Sequence, residues 1–452
     1  MIILGTNSIK ETGFNVANSL RFNSGSSDHL NRSTSSGDRL KWTWSAWIKK
    51  TKNGADEDLF SGYHNSSNFT RIQIGDTGRF NYINKTSGSQ NAKIETNRVF
   101  RDNSAWYHFV IVWDTGNATA GNRMRIYVNG VEETSFANET QPSEDQVSHV
   151  NQDSKTNYVG TFDGSGTFFN GYMAEVVLVD GQALDPTSFG EFDSDSGIWK
   201  PKNVSGLTFG TNGFYLDFED SSALGNDAAG SNNFTVNNLT AIDQSIDTCT
   251  NNFATFNPLI TTQSNSLPVF SEGNLTSTFD NGSTNEFALS TFAVSSGKWY
   301  AEFKWVDATG GGTTSVGIVR TDANFNQDVN DNGISYKGNG QKNINGSSSS
   351  YGASFGTGNI ISIVLNMDDN EVTFYKDGAS QGTISITADL TYFMYCSDYN
   401  NKSADANFGA PETSVSSGNT DGNGYGNFEY SPTLSGVNYY ALNTKNLAEY
   451  GG

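Results

Sequence analysis

Cysteine, proline, histidine and positive charge are all scarce in this chain. The two cysteines, Cys249 and Cys396, are far apart in 452 residues and build no disulfide framework. Two free thiols are the expected state, with one long-range bridge as the alternative. The four histidines, His29, His64, His108 and His149, never pair with His or Cys at zinc-ligand spacing. Lys plus Arg number 27 against 48 Asp plus Glu, a formal net charge of −21, which repels phosphate backbones and anionic headgroups and argues against a nucleic-acid partner. No apolar run reaches membrane-spanning length, so membrane insertion is not expected. Met1-Ile2-Ile3-Leu4 lacks the length and basic flank of a secretory leader, which predicts synthesis in a cytoplasm without export. Neither a nucleophile elbow nor a phosphate-binding glycine loop occurs, which leaves acyl transfer and nucleotide hydrolysis without support.

Glycine is abundant instead, at 48 residues against 7 prolines, in a surface polar through Asn, Ser and Thr. That balance predicts a turn-dense β protein with little helix. Its clearest stretch runs from Ile360 to Gly382. Ile361, Ile363 and Leu365 alternate with polar or opposite-face residues, Met367-Asp368-Asp369-Asn370 turns the chain, Val372 to Lys376 returns, and Asp377-Gly378 closes the strand. Phe109 to Trp113, a polar turn, Met124 to Val128 and Asn129-Gly130 repeat the layout. In Trp42 to Lys50, Trp42, Trp44 and Ala46 share one strand face and Trp47 takes the other, so Trp47 is expected away from the main core and is a candidate ligand-binding residue. Ala183 to Phe192 reads as the one helical turn, capped by Asp185 with Pro186 at its first position.

Gly297-Lys298-Trp299-Tyr300-Ala301-Glu302-Phe303, Val316-Gly317-Ile318-Val319, Tyr351-Gly352-Ala353-Ser354-Phe355, Phe374-Tyr375-Lys376-Asp377-Gly378 and Ala406-Asn407-Phe408-Gly409 resemble, in order, a SPRY domain. The earlier hairpin, with Trp106-Tyr107-His108-Phe109 before it and Phe169-Asn170-Gly171-Tyr172 after it, resembles a laminin-G-like, concanavalin-A-like jelly roll. The resemblance implies an all-β chain: an arm over 1–18, a jelly roll over 19–205, a connector over 206–264, a SPRY-like β-sandwich over 265–410 and an aromatic tail over 411–452. The connector from Gly206 to Leu259, Ser19-Leu20-Arg21-Phe22 near the start and Tyr440 to Leu447 at the end are similar to structural proteins of marine tailed phages.

Both families are mainly binding modules, so the resemblance implies a non-enzymatic virion protein. Its partners would be other virion proteins and a host-surface glycan or protein, and the chain would form a homo-oligomer, by analogy a trimer. SPRY rim loops point to Asn324, Asn326, Tyr336, Tyr351 and Tyr399 as ligand-binding residues, while Tyr392, Phe393 and Tyr395 beside them serve equally well as buried core. Laminin-G-like relatives hold Ca²⁺ with loop oxygens, which nominates Asp163, Asp180 and Asp185, in a chain where acidic loops are also the norm. A capsid or tail decoration protein is the first alternative and a glycan hydrolase the second. The hydrolase needs paired acids; Glu191/Asp193 and Asp217/Glu219 are the nearest pairs and read as solvated turns.

Overall fold

The computed structural model describes residues 13–260, 267–325 and 329–451. The chain divides into two compact units that meet in sequence between Thr250 and Asn251. Both are antiparallel sandwiches, as the alternating strands predict.

In the first unit, one sheet runs in the order Val131–Glu132, Met124–Val128, Trp106–Asp114, Lys41–Lys50, Gly171–Asp180, Ser19–Phe22, Gln244–Ser245, with Phe214–Leu216 also paired to Gly171–Asp180. The facing sheet runs Phe136–Thr140, Ser89–Val99, Arg79–Thr86, Asn68–Ile74, Glu57–Asn65, Thr156–Val159, His29–Ser33, Thr235–Asn237. Side chains of period two fill the space between: Trp42, Trp44, Ala46 and Ile48 from one strand meet Phe60, Ile72, Tyr82 and Ile94 from the other sheet. Trp42 stacks on Trp113 and Trp44 on Phe60, so the large rings set the sheet spacing.

The expected connector is not a separate segment. Phe214 and Leu216 point into the main core and their strand pairs with Val176 to Leu178, while Leu224, Phe234 and Leu239 cover the core edge. Strands of only three residues at Phe214–Leu216 and Thr235–Asn237 are too short to show a period, which is why the sequence reads as a connector. Residues 251–257 belong to the second unit, where Phe253 and Phe256 are buried.

The second unit pairs Val269–Ser271, Thr276–Phe279, Lys402–Asn407, Lys298–Asp307, Ile360–Asn366, Glu371–Lys376 and Ala379–Ser385 in one sheet, with Tyr440–Ala441 added in parallel to Lys298–Asp307. The other sheet runs Glu286–Val294, Tyr392–Asp398, Ser315–Arg320, Gly333–Lys337, Gln341–Ile344, Ser347–Ser350. Trp299, Ala301, Phe303 and Trp305 face inward against Ile361, Ile363, Leu365 and Phe374. The tail beyond residue 410 packs on the opposite face of that sheet, where Phe428, Tyr439 and Ala441 cover Tyr300 and Val364.

Helix is confined to short pieces. Asp185 caps a single 3-10 turn, Pro186–Ser188, accepting from the Thr187 backbone N–H at 2.9 Å. The helical expectation up to Phe192 fails because Gly190–Phe192 pairs as a strand with Trp199–Pro201. An α-helix that the sequence reading missed, Thr444–Tyr450, is capped by Asn443. Among the described residues, no helix is long and apolar enough to cross a membrane.

The two hairpins use the same turn. Asn129 and Gly130 sit at φ 48° and 79°, and Asp377 and Gly378 at φ 47° and 79°, the left-handed pair that two-residue hairpins require. At Gly130 a Cβ would lie 2.3 Å from the Trp199 ring. Gly130→Ala is therefore expected to cost about 3 kcal/mol, combining positive-φ strain with overpacking. Gly116→Ala, at open backbone, should change stability by less than about 0.5 kcal/mol. Equal thermal midpoints for the two variants would refute this reading.

Candidate functional site

On the strand Lys298–Asp307, alternate residues Tyr300, Glu302 and Lys304 point away from the core. Glu302 pairs in register with Asn407, and Lys304 with Asp405, on the neighbouring strand. The tail crosses this face and turns it into a small solvent-open groove of about 70 Å³, with Ile360 and Ala406 among its lining and Pro411, Thr413, Ser414 and Val415 contributed by the tail.

Glu302 anchors the wall. Its carboxylate accepts from the Tyr300 hydroxyl at 2.9 Å, Asn407 Nδ2 at 3.3 Å, and the backbone N–H groups of Glu429 and Tyr430 at 2.9 and 2.7 Å. Burial raises its pKa, against those hydrogen bonds. Such a saturated carboxylate fixes structure and has little capacity left for a ligand. Asp405 differs. It is hydrogen-bonded to Glu412, and the Thr276 hydroxyl lies 2.9 Å from Asp405 Oδ1 and 3.2 Å from Glu412 Oε1. Burial is the first cause of its raised pKa, against the hydrogen bonds with Thr276 and Glu412. Lys304 lies exposed on the same wall. The groove thus offers a cation, a carboxyl group and hydroxyls beside apolar side chains, the mixture that orients a polar ligand.

The rim residues expected to bind do not converge. Asn324 is exposed, beyond Arg320 at the end of Ser315–Arg320 that pairs with Tyr392. Tyr399 follows Asp398, at the other end of Tyr392–Asp398, about 20 Å away by strand rise. Tyr336 is fully buried, with its hydroxyl donating to the Ala353 carbonyl and its ring packed on Tyr351 and Phe355. It is therefore core. Tyr351 is half-buried and its hydroxyl is engaged by the Gly382 carbonyl. Asn326 lies outside the described residues.

In the first unit Trp47 does leave the main core, but it is only 4% exposed, packed with Val16, Ala174 and Trp199, and is closed to a ligand in this chain. Its ring stacks on His108 at 4.8 Å. His108 accepts from Trp199 Nε1 at Nδ1, 3.0 Å, which leaves the proton on Nε2 facing Ser45 Oγ at 2.8 Å. Burial lowers its pKa to about 3. The calcium set also disperses. Asp180 is buried and accepts from Asp38 N, Asn151 Nδ2 and Asn212 N; Asp163 shapes its own turn through Ser165; Asp185 caps Pro186–Ser188. Among the described residues no three acidic, His or Cys groups gather as metal ligands.

Sequence reasoning missed Glu175. A β-bulge between Ala174 and Val177 puts it at φ 52°, where it is 7% exposed and accepts the Tyr215 hydroxyl at 2.8 Å. Burial, with Asp217 and Glu219 nearby, pushes its pKa to about 8. Its signal was a single carboxylate inside the apolar run Gly171 to Val179. Glu191 is exposed and Asp193 is held well below the usual carboxylate range by Ser196 and Lys200, as a solvated turn would be.

Residues 23–188 match the concanavalin A-like lectin/glucanases superfamily, and residues 298–411 match the SPRY domain. The chain carries a concanavalin A-like sandwich followed by a SPRY sandwich. No curated protein matches the chain. Similar solved structures include the SPRY domain of human HERC1, 22% identical over 29% of this chain and 87% of that one, with TM-score 0.26. The SAP-like pentraxin of Limulus polyphemus is 19% identical over 38% and 80% of the two chains, TM-score 0.29. Domains LG4-5 of the mouse laminin alpha1 chain are 11% identical over 88% and 89%, TM-score 0.30. The SPRY match spans the strands that carry Glu302, Lys304 and Asp405, whereas the tail residues from 412 onward that close the groove lie beyond it. The first match is to a superfamily that includes both lectins and glucanases, and the second is to the SPRY domain.

Proposed function

We propose that the protein is a non-enzymatic virion protein of a tailed phage, a fibre-like adhesin that binds a host-surface glycan or protein through the groove of its SPRY unit. The observation that carries the reading is that groove, where Lys304 and Asp405, in register on neighbouring strands, present a donor and acceptors beside apolar side chains. Sugar hydroxyls both donate and accept, so they suit such a lining. A homo-oligomer, by analogy a trimer, multiplies weak single-site binding through avidity. Hydrolysis fits the groove poorly, because hydrogen-bonded carboxyls are closer than the about 5–5.5 Å that a retaining glycosidase needs.

The test is binding of the purified full chain to host cells and to an array of their surface glycans, beside Lys304→Glu. Charge reversal at the groove is expected to weaken binding about tenfold, the equivalent of about 1.4 kcal/mol, with the melting profile unchanged. A folded wild-type protein that binds no cell or glycan but co-assembles with other virion proteins would replace the adhesin with a decoration or fibre-base protein.

A further inference from the structure

Lys49 and Asp247 lie 198 residues apart in sequence, and their side chains are 0% and 1% exposed. Lysine is rarely buried to this degree, and an ion pair without water loses much of its Coulomb gain to desolvation. Nζ sits 2.7 Å from Asp247 Oδ2 and 5.6 Å from the centre of the Tyr172 ring. Trp106 donates its indole N–H to the other oxygen, Oδ1, at 3.1 Å. Asp102 acts electrostatically on Lys49, its Oδ1 accepts from the backbone N–H and hydroxyl of Ser104, and its Oδ2 is buried without a hydrogen-bond partner. Burial also lowers the Lys49 pKa, which favours the neutral amine.

We propose that Lys49 and Asp247 join spontaneously in the folded chain as an intramolecular isopeptide bond, with Asp102 carrying the proton. A proton first passes from Nζ to Asp247 Oδ2 within the pair, giving a neutral amine and a neutral acid. The Nζ lone pair then attacks Cγ, forming the N–C bond, and charge develops on Oδ1, where the Trp106 N–H already points. Asp102 takes a proton from Nζ and delivers it to Oδ2. The Cγ–Oδ2 bond breaks and one water leaves. One ammonium and one carboxylate become one amide and one water, with no oxidant, metal or activated donor consumed. Proximity in a dry pocket supplies what an external catalyst would otherwise provide.

Lys50 and Glu57 provide an internal comparison. They are equally buried and 3.2 Å apart, but the charged neighbours that act most on Glu57 are the cations Lys50 and Lys52. That pair remains ionic or proton-sharing.

The experiment is intact mass measurement of the denatured full chain, followed by proteolysis and sequencing of the fragments. The expected mass is one water below that of the sequence, with the Lys49 and Asp247 peptides recovered as one branched species and the Lys50–Glu57 segment linear. Lys49→Arg and Asp102→Asn should both restore the full mass, and Asp102→Asn should do so while keeping a cooperative thermal transition. Full mass with separate peptides in the folded wild type would overturn the proposal. So would a water loss that leaves all peptides linear, as succinimide formation at Asp163-Gly164 does. A bond retained in Asp102→Asn would overturn the role assigned to Asp102.

Discussion

Glu175→Gln should raise the stability of the concanavalin A-like unit at pH 7 by about 3 kcal/mol. The carboxyl has a pKa of about 8 in the folded unit, against 4.5 as the ordinary value. Between these two pH values the folded state holds a proton that the unfolded state has released, so stability falls as pH rises from 4.5 to 8. At pH 7 the difference spans about 2.5 pH units, at about 1.4 kcal/mol each. Glutamine is neutral throughout and its carbonyl can still accept the Tyr215 hydroxyl. The gain should therefore vanish near pH 4.5, grow steadily to pH 8 and then level off. Tryptophan emission resolves it, because Trp42, Trp44, Trp47, Trp106, Trp113 and Trp199 lie in this unit and Trp299 and Trp305 in the other. A difference that does not vary with pH would show that Glu175 is ionised in the fold.

His108 has the opposite dependence. With a pKa of about 3 in the fold against 6.5 ordinarily, it stays neutral where the unfolded chain takes up a proton. Its contribution is complete above pH 6.5 and declines by about 1.4 kcal/mol per unit as pH falls towards 3, reaching about 2 kcal/mol at pH 5. Burial is the cause, and the geometry acts in the same direction: a proton on Nδ1 would face the Trp199 N–H, donor against donor. His108→Phe keeps the slot between the rings of Trp47 and Trp199 but does not titrate. It also leaves Ser45 Oγ and Trp199 Nε1 without this partner, at about 1–3 kcal/mol each. Wild type should exceed the variant at neutral pH, and the margin should shrink below pH 6.5. Parallel acid profiles for the two proteins would refute the buried neutral imidazole.

Those two groups also mark what the sequence could and could not express. The sandwiches were legible because Trp42, Trp44 and Ile361, Ile363, Leu365 alternate, and because Asn129-Gly130 and Asp377-Gly378 are written where hairpins turn. Trp47 was separable from the main core on parity alone, but its cover comes from Val16 and Trp199, which local pattern does not report. Tyr336 looked like a rim aromatic because its partner Phe355 comes from another segment. The groove was illegible for the same reason: Glu302, Asp405 and Glu429 meet through sheet order and the returning tail. Glu175 depended on a bulge, a backbone event that one charged letter in an apolar run does not specify.

The pairing of Ser19 with Ser245 and of Leu20 with Gln244 places the first and last strands of the concanavalin A-like unit side by side. A pull that separates residues 16 and 250 would therefore peel this antiparallel pair open one rung at a time, starting at the contact between the Val16 N–H and Thr250 Oγ1. Strands loaded in that direction resist weakly, because their hydrogen bonds fail singly. Asp247 lies between Thr250 and Ser245, so the load from that side reaches it before the first rung. An ion pair to Lys49 would yield there. An amide would route the force into Lys41–Lys50, a strand held on both sides by Trp106–Asp114 and Gly171–Asp180, and leave Ser19–Phe22 as the one strand free to peel.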